Sequence, residues 1–187
     1  MRLTKPRIDP LPEAEWTDEQ RELLTHGNPA RILNIFRTLV RHPNLYRRWT
    51  SFGNQVLFKS SLSARDRELA ILRVGWLCRS GYEFHQHTRV AANAGLRADE
   101  IERVKAGPDA PGWSTVEATL LRAVDDLHRD QFVADATWRT LAEHYTTEQL
   151  IDLVFAVGQY TLVSMALNTF GVQIEDEAPH SGFGTRD

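Results

Sequence analysis

Cysteine is nearly absent from this chain, whose 187 residues include only one, Cys78. A single cysteine excludes an intrachain disulfide and is typical of a protein from a reducing compartment. An excess of one charge is also absent, because 22 Lys and Arg against 25 Asp and Glu leave a formal net charge of −3. No nucleic-acid partner is therefore expected, since such partners are bound by strongly basic surfaces.

Targeting and nucleotide-binding motifs are missing as well. The segment 1–12 is basic and interrupted by proline, without the apolar stretch of a signal peptide or anchor, so we expect a cytoplasmic protein. The sequence has no Gly-rich phosphate loop, no Gly-x-Ser-x-Gly and no His-Glu-x-x-His. These absences disfavour nucleotide-dependent and hydrolytic functions.

Helical signals recur along the chain, whereas the alternation typical of strands is nowhere convincing. Capping boxes at Thr17, Ser114 and Thr146 open predicted helices. Pro43 suits the first turn of another helix, and Gly171 ends the last one. The sequence therefore predicts an all-α fold.

The length and composition suit one soluble domain, with 42% apolar and 25% charged residues. We expect a single domain over 1–187, with a loose N-terminal arm (1–12) and a loose C-terminal tail (175–187).

The stretch 153–174 has no charged residue and is long enough to cross a bilayer. Polar residues interrupt it and no cationic flank marks its ends, which favours a buried or interfacial helix over a membrane span. Its Gln159 is a candidate for lining a pocket.

The segment 67–96 is the one place where the sequence points to chemistry. It contains the cysteine, two carboxylates and two histidines on two consecutive predicted helices, joined by a turn at Ser80-Gly81. The first helix is apolar nearly all round, so Glu68 is expected to be buried. On a 3.6-residue period Cys78 lies about 80° from Glu68 around the helix axis, so the thiol and the carboxylate can share a face.

The second helix supplies a carboxylate and an imidazole four residues apart, Glu83 and His87, which lie on one face. His85 lies about 160° from His87 around the helix axis and faces a different side of the helix, so these two histidines do not bind one metal ion together. Cys78, Glu83 and His87 match no usual ligand spacing, and no metal or cofactor is expected.

Each candidate also has a structural interpretation. Cys78 can be a small buried hydrophobe, and the pair on the second helix can be an exposed ion pair. Glu68 can form a buried salt bridge with Arg73 or Arg122.

At these residues the chain resembles the carboxymuconolactone decarboxylase and alkylhydroperoxidase D superfamily, an all-helical group. The resemblance is closest over 62–107. In the peroxidase branch a Glu is followed by Cys-x-x-Cys and then by a His. Aligning that pattern on Glu68 and His87 places Ser80 and Glu83 where the two cysteines stand, and Cys78 falls two positions too early. The chain therefore looks more like the decarboxylase branch and its single-cysteine relatives.

The resemblance implies a cofactor-free acid–base enzyme acting on a small organic acid or lactone. His87 is the expected general acid, and Glu83 orients it or holds its charge. Glu68 is a second acid–base group or a buried charge that tunes the pair. The catalytic candidates are therefore Glu68, Cys78, Glu83 and His87. Tyr82 and Ser80 are expected to line the pocket, where Tyr82 and Cys78 supply hydrogen bonds.

Two alternatives remain open at this point. In the first, Cys78 attacks a hydroperoxide and an external thiol resolves the sulfenic acid, which requires an accessible thiol with a pKa lowered by His87 or Arg79. In the second, the chain is a non-catalytic module that binds a ligand. The resemblance also implies a small-molecule substrate and a homo-oligomer, a trimer or a hexamer, with neither nucleic acid nor membrane as partner.

Overall fold

The computed structural model describes residues 2–25 and 32–175, and over these ranges it is helical without strands. A short 3-10 turn at Glu13–Glu15 precedes the α-helices. The helices described are α1 (Asp18–Thr25), α2 (Asn34–Leu39), α3 (Pro43–Phe58), α4 (Ala64–Leu77), α5 (Gly81–Asn93), α6 (Ala98–Ala106), α7 (Thr115–Asp130), α8 (Asp135–His144) and α9 (Thr147–Phe170). The all-α prediction is confirmed.

Helix α4 is the centre of the fold. It packs against α5, α6, α7 and α9. All residues from Glu68 to Gly75 are buried, which follows from a sequence that is apolar nearly all round this helix. Its N-terminus is capped by Ser63, whose Oγ accepts a hydrogen bond from the Asp66 backbone N–H at 3.0 Å.

Helices α4 and α5 form an antiparallel pair. The turn between them requires one left-handed residue, and this is Arg79, with φ of 54°, whereas Gly81 is the first residue of α5. Gly75 allows close approach, since a Cβ at that position would lie 3.5 Å from Cγ of Glu83. The close contact fixes the register of the two helices and places Glu68 opposite His87.

The capping residues lie at the starts and ends of the helices where the sequence predicts them. Thr17, Ser114 and Thr146 form the expected capping boxes with the residues three positions later. Pro43 occupies the first turn of α3, and Gly171 ends α9 in the left-handed conformation.

The prediction of a loose N-terminal arm is wrong for its described part, residues 2–12. The backbone N–H of Arg7 donates to the carbonyl of Phe170 at 2.8 Å, and Leu11 is buried. A Cβ at Gly171 would lie 2.9 Å from the carbonyl oxygen of Lys5, so the arm lies directly on the end of α9. Of the predicted tail, Glu175 is held by hydrogen bonds, and 176–187 lie outside the described residues.

Helix α9 is long and apolar enough to cross a membrane by length and composition, and half of its most apolar stretch is buried within the chain. It packs against α3, α4, α5, α7 and α8. Its other side is exposed and apolar. We define the α3–α9 face as the exposed apolar residues of these two helices: Leu45, Phe52, Phe58, Ile151, Val154, Phe155, Leu162 and Met165.

Candidate functional site

Three of the four predicted catalytic residues meet between α4 and α5. Nδ1 of His87 lies 2.7 Å from Oε2 of Glu68, and Nε2 of the same ring lies 3.0 Å from Oε1 of Glu83. All three residues are buried, and Glu68 is completely inaccessible to solvent. The interpretation of Glu83 and His87 as an exposed ion pair is therefore wrong, and both nitrogens of the imidazole have a carboxylate partner.

The two carboxylates make His87 a cation at neutral pH. Burial alone would lower its pKa, but the charges and hydrogen bonds of Glu83 and Glu68 outweigh this and raise the pKa of His87 to about 9. Nε of Arg67 lies 3.3 Å from the other oxygen of Glu68, so two negative and two positive groups balance in the buried cluster. The His87 and Tyr160 rings pack nearly perpendicular to each other, with ring centroids 4.8 Å apart.

Glu68 does not pair with the arginines considered for it from sequence. Arg73 instead binds both oxygens of Asp125, at 2.6 and 2.8 Å, and Arg122 binds Asp109. Glu68 pairs with His87 and Arg67 instead.

A cavity of about 340 Å³ adjoins this cluster, bounded by α2, α3, α5 and α9. Glu83 and His87 contact it, whereas Glu68 lies behind His87 and does not. Most of the wall is apolar or aromatic, which is typical of a small-molecule site. The apolar and aromatic lining residues include Leu33, Ile35, Phe36, Trp49, Leu57, Phe58, Val90, Tyr160 and Val163. The polar ones are Thr50, Asn54, Tyr82, Glu83, Gln86, His87 and Gln159.

Cys78 lies outside this cavity, and the prediction that it completes the pocket is wrong. It is the residue that caps the C-terminus of α4, about 15 Å along the helix axis from Glu68, so a shared face does not bring the two side chains together. Its Sγ lies 3.7 Å from Nδ1 of His128 in a separate depression of about 750 Å³ beside α9. Burial raises the pKa of the Cys78 thiol above its ordinary value.

Ser80 does not line the cavity either. It is completely buried in the α4–α5 turn, and its Oγ has no hydrogen-bond partner among the residues that the structure describes. Tyr82 does line the cavity, and so does Gln159, the α9 residue singled out as a pocket candidate.

Sequence reasoning missed Glu175, which lies beside the site from the far end of the chain. Its carboxylate accepts hydrogen bonds from the Tyr82 hydroxyl at 2.8 Å, Nε2 of Gln86 at 2.6 Å and the Asn34 backbone N–H at 2.8 Å. Burial, and then the Glu175 carboxylate, raise the pKa of Tyr82, so its hydroxyl remains protonated and donates. No local pattern marks Glu175, because its partners are 89 or more positions away along the chain.

Within residues 2–25 and 32–175, no group of three or more His, Cys, Asp or Glu side chains is placed to hold a metal ion. The arrangement of Glu68, His87 and Glu83 is instead a chain of proton donors and acceptors. It can carry a proton between a buried carboxylate and the wall of the cavity.

Comparison with known proteins relates this site to a family. Residues 43–126 match the model of the carboxymuconolactone decarboxylase family. This segment runs from the first residue of α3 into α7 and includes Glu68, Glu83 and His87. No curated protein matches the chain.

Solved structures share the fold over nearly the whole chain. An uncharacterized peroxidase-related protein with an alkylhydroperoxidase AhpD core from Ralstonia eutropha is 20% identical, with a TM-score of 0.78 over 91% of this chain and 94% of that chain. An uncharacterized peroxidase-related protein from Silicibacter sp. is 15% identical, with a TM-score of 0.77 over 95% of this chain and 93% of that one. The debrominase Bmp8, solved as a cysteine-to-alanine variant with 2,3,4-tribromopyrrole, is 11% identical, with a TM-score of 0.77 over 92% and 94%. At these identities the likeness establishes the fold alone.

Proposed function

Because the chain belongs to the carboxymuconolactone decarboxylase and alkylhydroperoxidase D-like superfamily, we propose that it is a cofactor-free acid–base enzyme acting on a small organic acid or lactone. The observation that carries this proposal is the contact of Glu83 and His87 with an apolar cavity, with Glu68 behind them. A buried carboxylate–imidazole–carboxylate chain that reaches a ligand-sized cavity is suited to proton transfer.

The geometry favours a different division of roles from the one expected from sequence. His87 was the expected general acid, but both of its nitrogens face carboxylates. Glu83 is therefore the group proposed to exchange a proton with the ligand, and His87 is the group that supplies that proton to Glu83. Glu68 is a positioning residue, since it does not reach the cavity and holds the other nitrogen of the ring.

In the decarboxylation reaction of this proposal, the bond between the ligand carbon and its carboxylate breaks and carbon dioxide leaves. The electron pair remains on the carbon as an enolate-like carbanion. His87 passes its Nε2 proton to the Glu83 carboxylate, and the carboxylic acid so formed delivers that proton to the carbon, which returns Glu83 to its ionised form. Solvent then reprotonates His87, whose pKa of about 9 keeps it charged at neutral pH.

The contact between Cys78 and His128 favours one second candidate, a cysteine-dependent peroxidase. The two side chains meet in an open depression with Arg2 at its rim, where a peroxide has access. In that reaction the thiolate takes an oxygen atom from the hydroperoxide to give a sulfenic acid and an alcohol, and two equivalents of an external thiol reduce the sulfenic acid. The raised pKa of Cys78 opposes this candidate, because the thiolate is the nucleophile.

Deuterium exchange with a panel of simple acids tests the proposal. Small carboxylic acids and lactones with an acidic C–H are incubated with the protein in D₂O, and incorporation at carbon is followed by NMR. We expect exchange with the unaltered chain and with Cys78→Ser, and about a hundredfold slower exchange with Glu83→Gln. Exchange that is lost in Cys78→Ser and kept in Glu83→Gln would overturn the proposal in favour of the cysteine-dependent candidate.

A further inference from the structure

Glu175 has an unusual set of partners for a carboxylate. Both of its oxygens are bound, one by the Asn34 backbone N–H and the Tyr82 hydroxyl and the other by Nε2 of Gln86. None of the ion pairs formed within the described parts of the chain includes Glu175. A carboxylate is thus held by three uncharged donors, which we call the cradle.

Two of the three donors of the cradle lie in the wall of the cavity. Tyr82 and Gln86 line it together with Glu83 and His87, and the four residues occupy one side of α5. Tyr82 is fixed in place, since it is only 3% exposed and its oxygen also accepts a hydrogen bond from the Ile35 backbone N–H at 3.4 Å. The donors therefore belong to the rigid site, whereas Glu175 comes from the segment after α9.

Without Glu175 the cradle needs another acceptor. A buried hydroxyl and a side-chain amide that lose their partner are left unsatisfied, so an incoming anion that accepts their hydrogen bonds is favoured. Three uncharged donors suit a monovalent anion with two oxygens in one plane. A doubly charged phosphate would require a cationic partner, and the cradle does not contain one.

We propose that the cradle is the carboxylate subsite of the cavity and that Glu175 occupies it until a ligand displaces it. The ligand is an organic monocarboxylic acid whose apolar body lies against Ile35, Trp49 and Val163 within the cavity. This inference deepens the proposed function by naming how an acid substrate is held, but ligand binding can be measured without turnover.

The affinity of such a ligand is set by competition with the chain itself. Glu175 is tethered to the fold, so its effective concentration at the cradle is high and an external acid binds weakly. Removing its carboxylate abolishes this competition, and the apparent affinity rises by the reciprocal of the fraction of molecules in which the tether had left the cradle free.

Calorimetric titration with phenylacetate and with its neutral isostere phenylacetamide tests the proposal. We expect Glu175→Ala to bind phenylacetate at least about tenfold more tightly than the unaltered chain does, with no gain for phenylacetamide. Adding Tyr82→Phe to Glu175→Ala should remove most of the gain. The matched control is Glu143→Ala, because Glu143 is an exposed residue of α8 outside the cavity lining.

Equal affinity of phenylacetate for the unaltered chain and for folded Glu175→Ala would overturn the proposal, and so would an equal gain for the amide. If Glu175→Ala fails to fold, the side-chain NH₂ signal of Gln86 in the unaltered chain provides the test. It should shift on addition of excess phenylacetate but not of phenylacetamide, and an unchanged signal contradicts the subsite. Glu83→Gln should keep this binding while losing deuterium exchange, which separates failure of the subsite from failure of the acid–base proposal.

Discussion

The imidazole of His87 is a charged ring buried between two carboxylates. Glu68 binds Nδ1 and Glu83 binds Nε2, so the ring cannot rotate toward a ligand without leaving one carboxylate unpaired in a buried place. The proton therefore moves along the chain of three residues, and Glu83 is its end at the cavity.

The raised pKa of His87 predicts how stability changes with pH. Folding raises this pKa from 6.5 to about 9, so the stabilisation is fully present below about pH 6.5 and is lost as the pH rises through about 9. The shift corresponds to roughly 3 kcal/mol of the free energy of unfolding. Urea denaturation at about pH 6 and about pH 10 should show this loss in the unaltered chain and a much smaller one in His87→Asn. Identical pH dependence in the two proteins would show that His87 is not protonated in the folded state.

Sequence alone could identify the pair four residues apart on α5, because helical spacing fixes which side chains share a face. The contact of His87 with Glu68 depends on the register between two helices, which Gly75 sets by allowing close approach. The wrong prediction that Cys78 lies in the pocket has a different cause. The angular position of a residue on a helix carries no information about its separation from another residue along the axis.

At the scale of the elements, two glycines with similar positive φ angles differ in what surrounds them. Gly107 and Gly95 have φ of 93° and 89°. A Cβ at Gly107 would lie 2.7 Å from Nη2 of Arg73, whereas a Cβ at Gly95 meets nothing within 4 Å. Arg73 connects Asp125 on α7 to the carbonyls of Val104 and Lys105 on α6.

We expect Gly95→Ala to lower the free energy of unfolding by about 1–2 kcal/mol, the cost of the left-handed backbone. Gly107→Ala should cost about 2 kcal/mol more, because a ψ of −164° with this φ is essentially confined to glycine and because Arg73 has to move away from its partners. Chemical denaturation of both variants measures the difference. Equal losses would mean that Arg73 adjusts without breaking its hydrogen bonds.

Helix starts were predictable because capping boxes satisfy backbone N–H groups within a few residues of one another. The ordered position of the N-terminal arm was not predictable, since its hydrogen bonds reach Phe170 and its burial depends on distant helices. The turn between α4 and α5 was misplaced by two residues for a similar reason. The sequence predicted the turn at Ser80-Gly81, whereas its left-handed residue is Arg79 and Gly81 already belongs to α5.

At the scale of the whole molecule, the α3–α9 face is an apolar surface that a single chain leaves exposed. On α9 its members Ile151, Phe155, Leu162 and Met165 follow helical spacing and form one exposed stripe. Phe155 packs against Phe52, with ring centroids 6.1 Å apart, which joins the stripe to α3. An apolar surface of this kind is typical of a subunit contact.

We therefore predict that the chain assembles as a trimer or a larger oligomer through this face. Light scattering on the purified protein should report that mass, and Leu162→Glu should reduce it to the monomer by placing a charge in the contact. Phe132→Glu is the matched control, because Phe132 is exposed to a similar extent, 63% against 55%, on a loop away from the face. A monomer at micromolar concentration contradicts the prediction.

The sequence indicated an uncharged stretch over 153–174 but not which sides of the final helix are exposed, because nearly every side of α9 is apolar. The position of Glu175 was equally inaccessible, since it is defined by Asn34, 141 positions earlier in the chain, and by α5. Contacts of this length depend on the completed fold and leave no local pattern in the sequence.

The central claim is that Glu83 and His87 act as one proton-transfer unit, and a double-mutant cycle tests it most directly. Once exchange or turnover is detected, kcat/KM should be compared for the unaltered chain, Glu83→Gln, His87→Asn and the double variant. We predict that each single change lowers kcat/KM by about a hundredfold or more. The double variant should have a kcat/KM no lower than that of the less active single variant. Losses that multiply in the double variant, or a folded Glu83→Gln with full activity, would contradict the account.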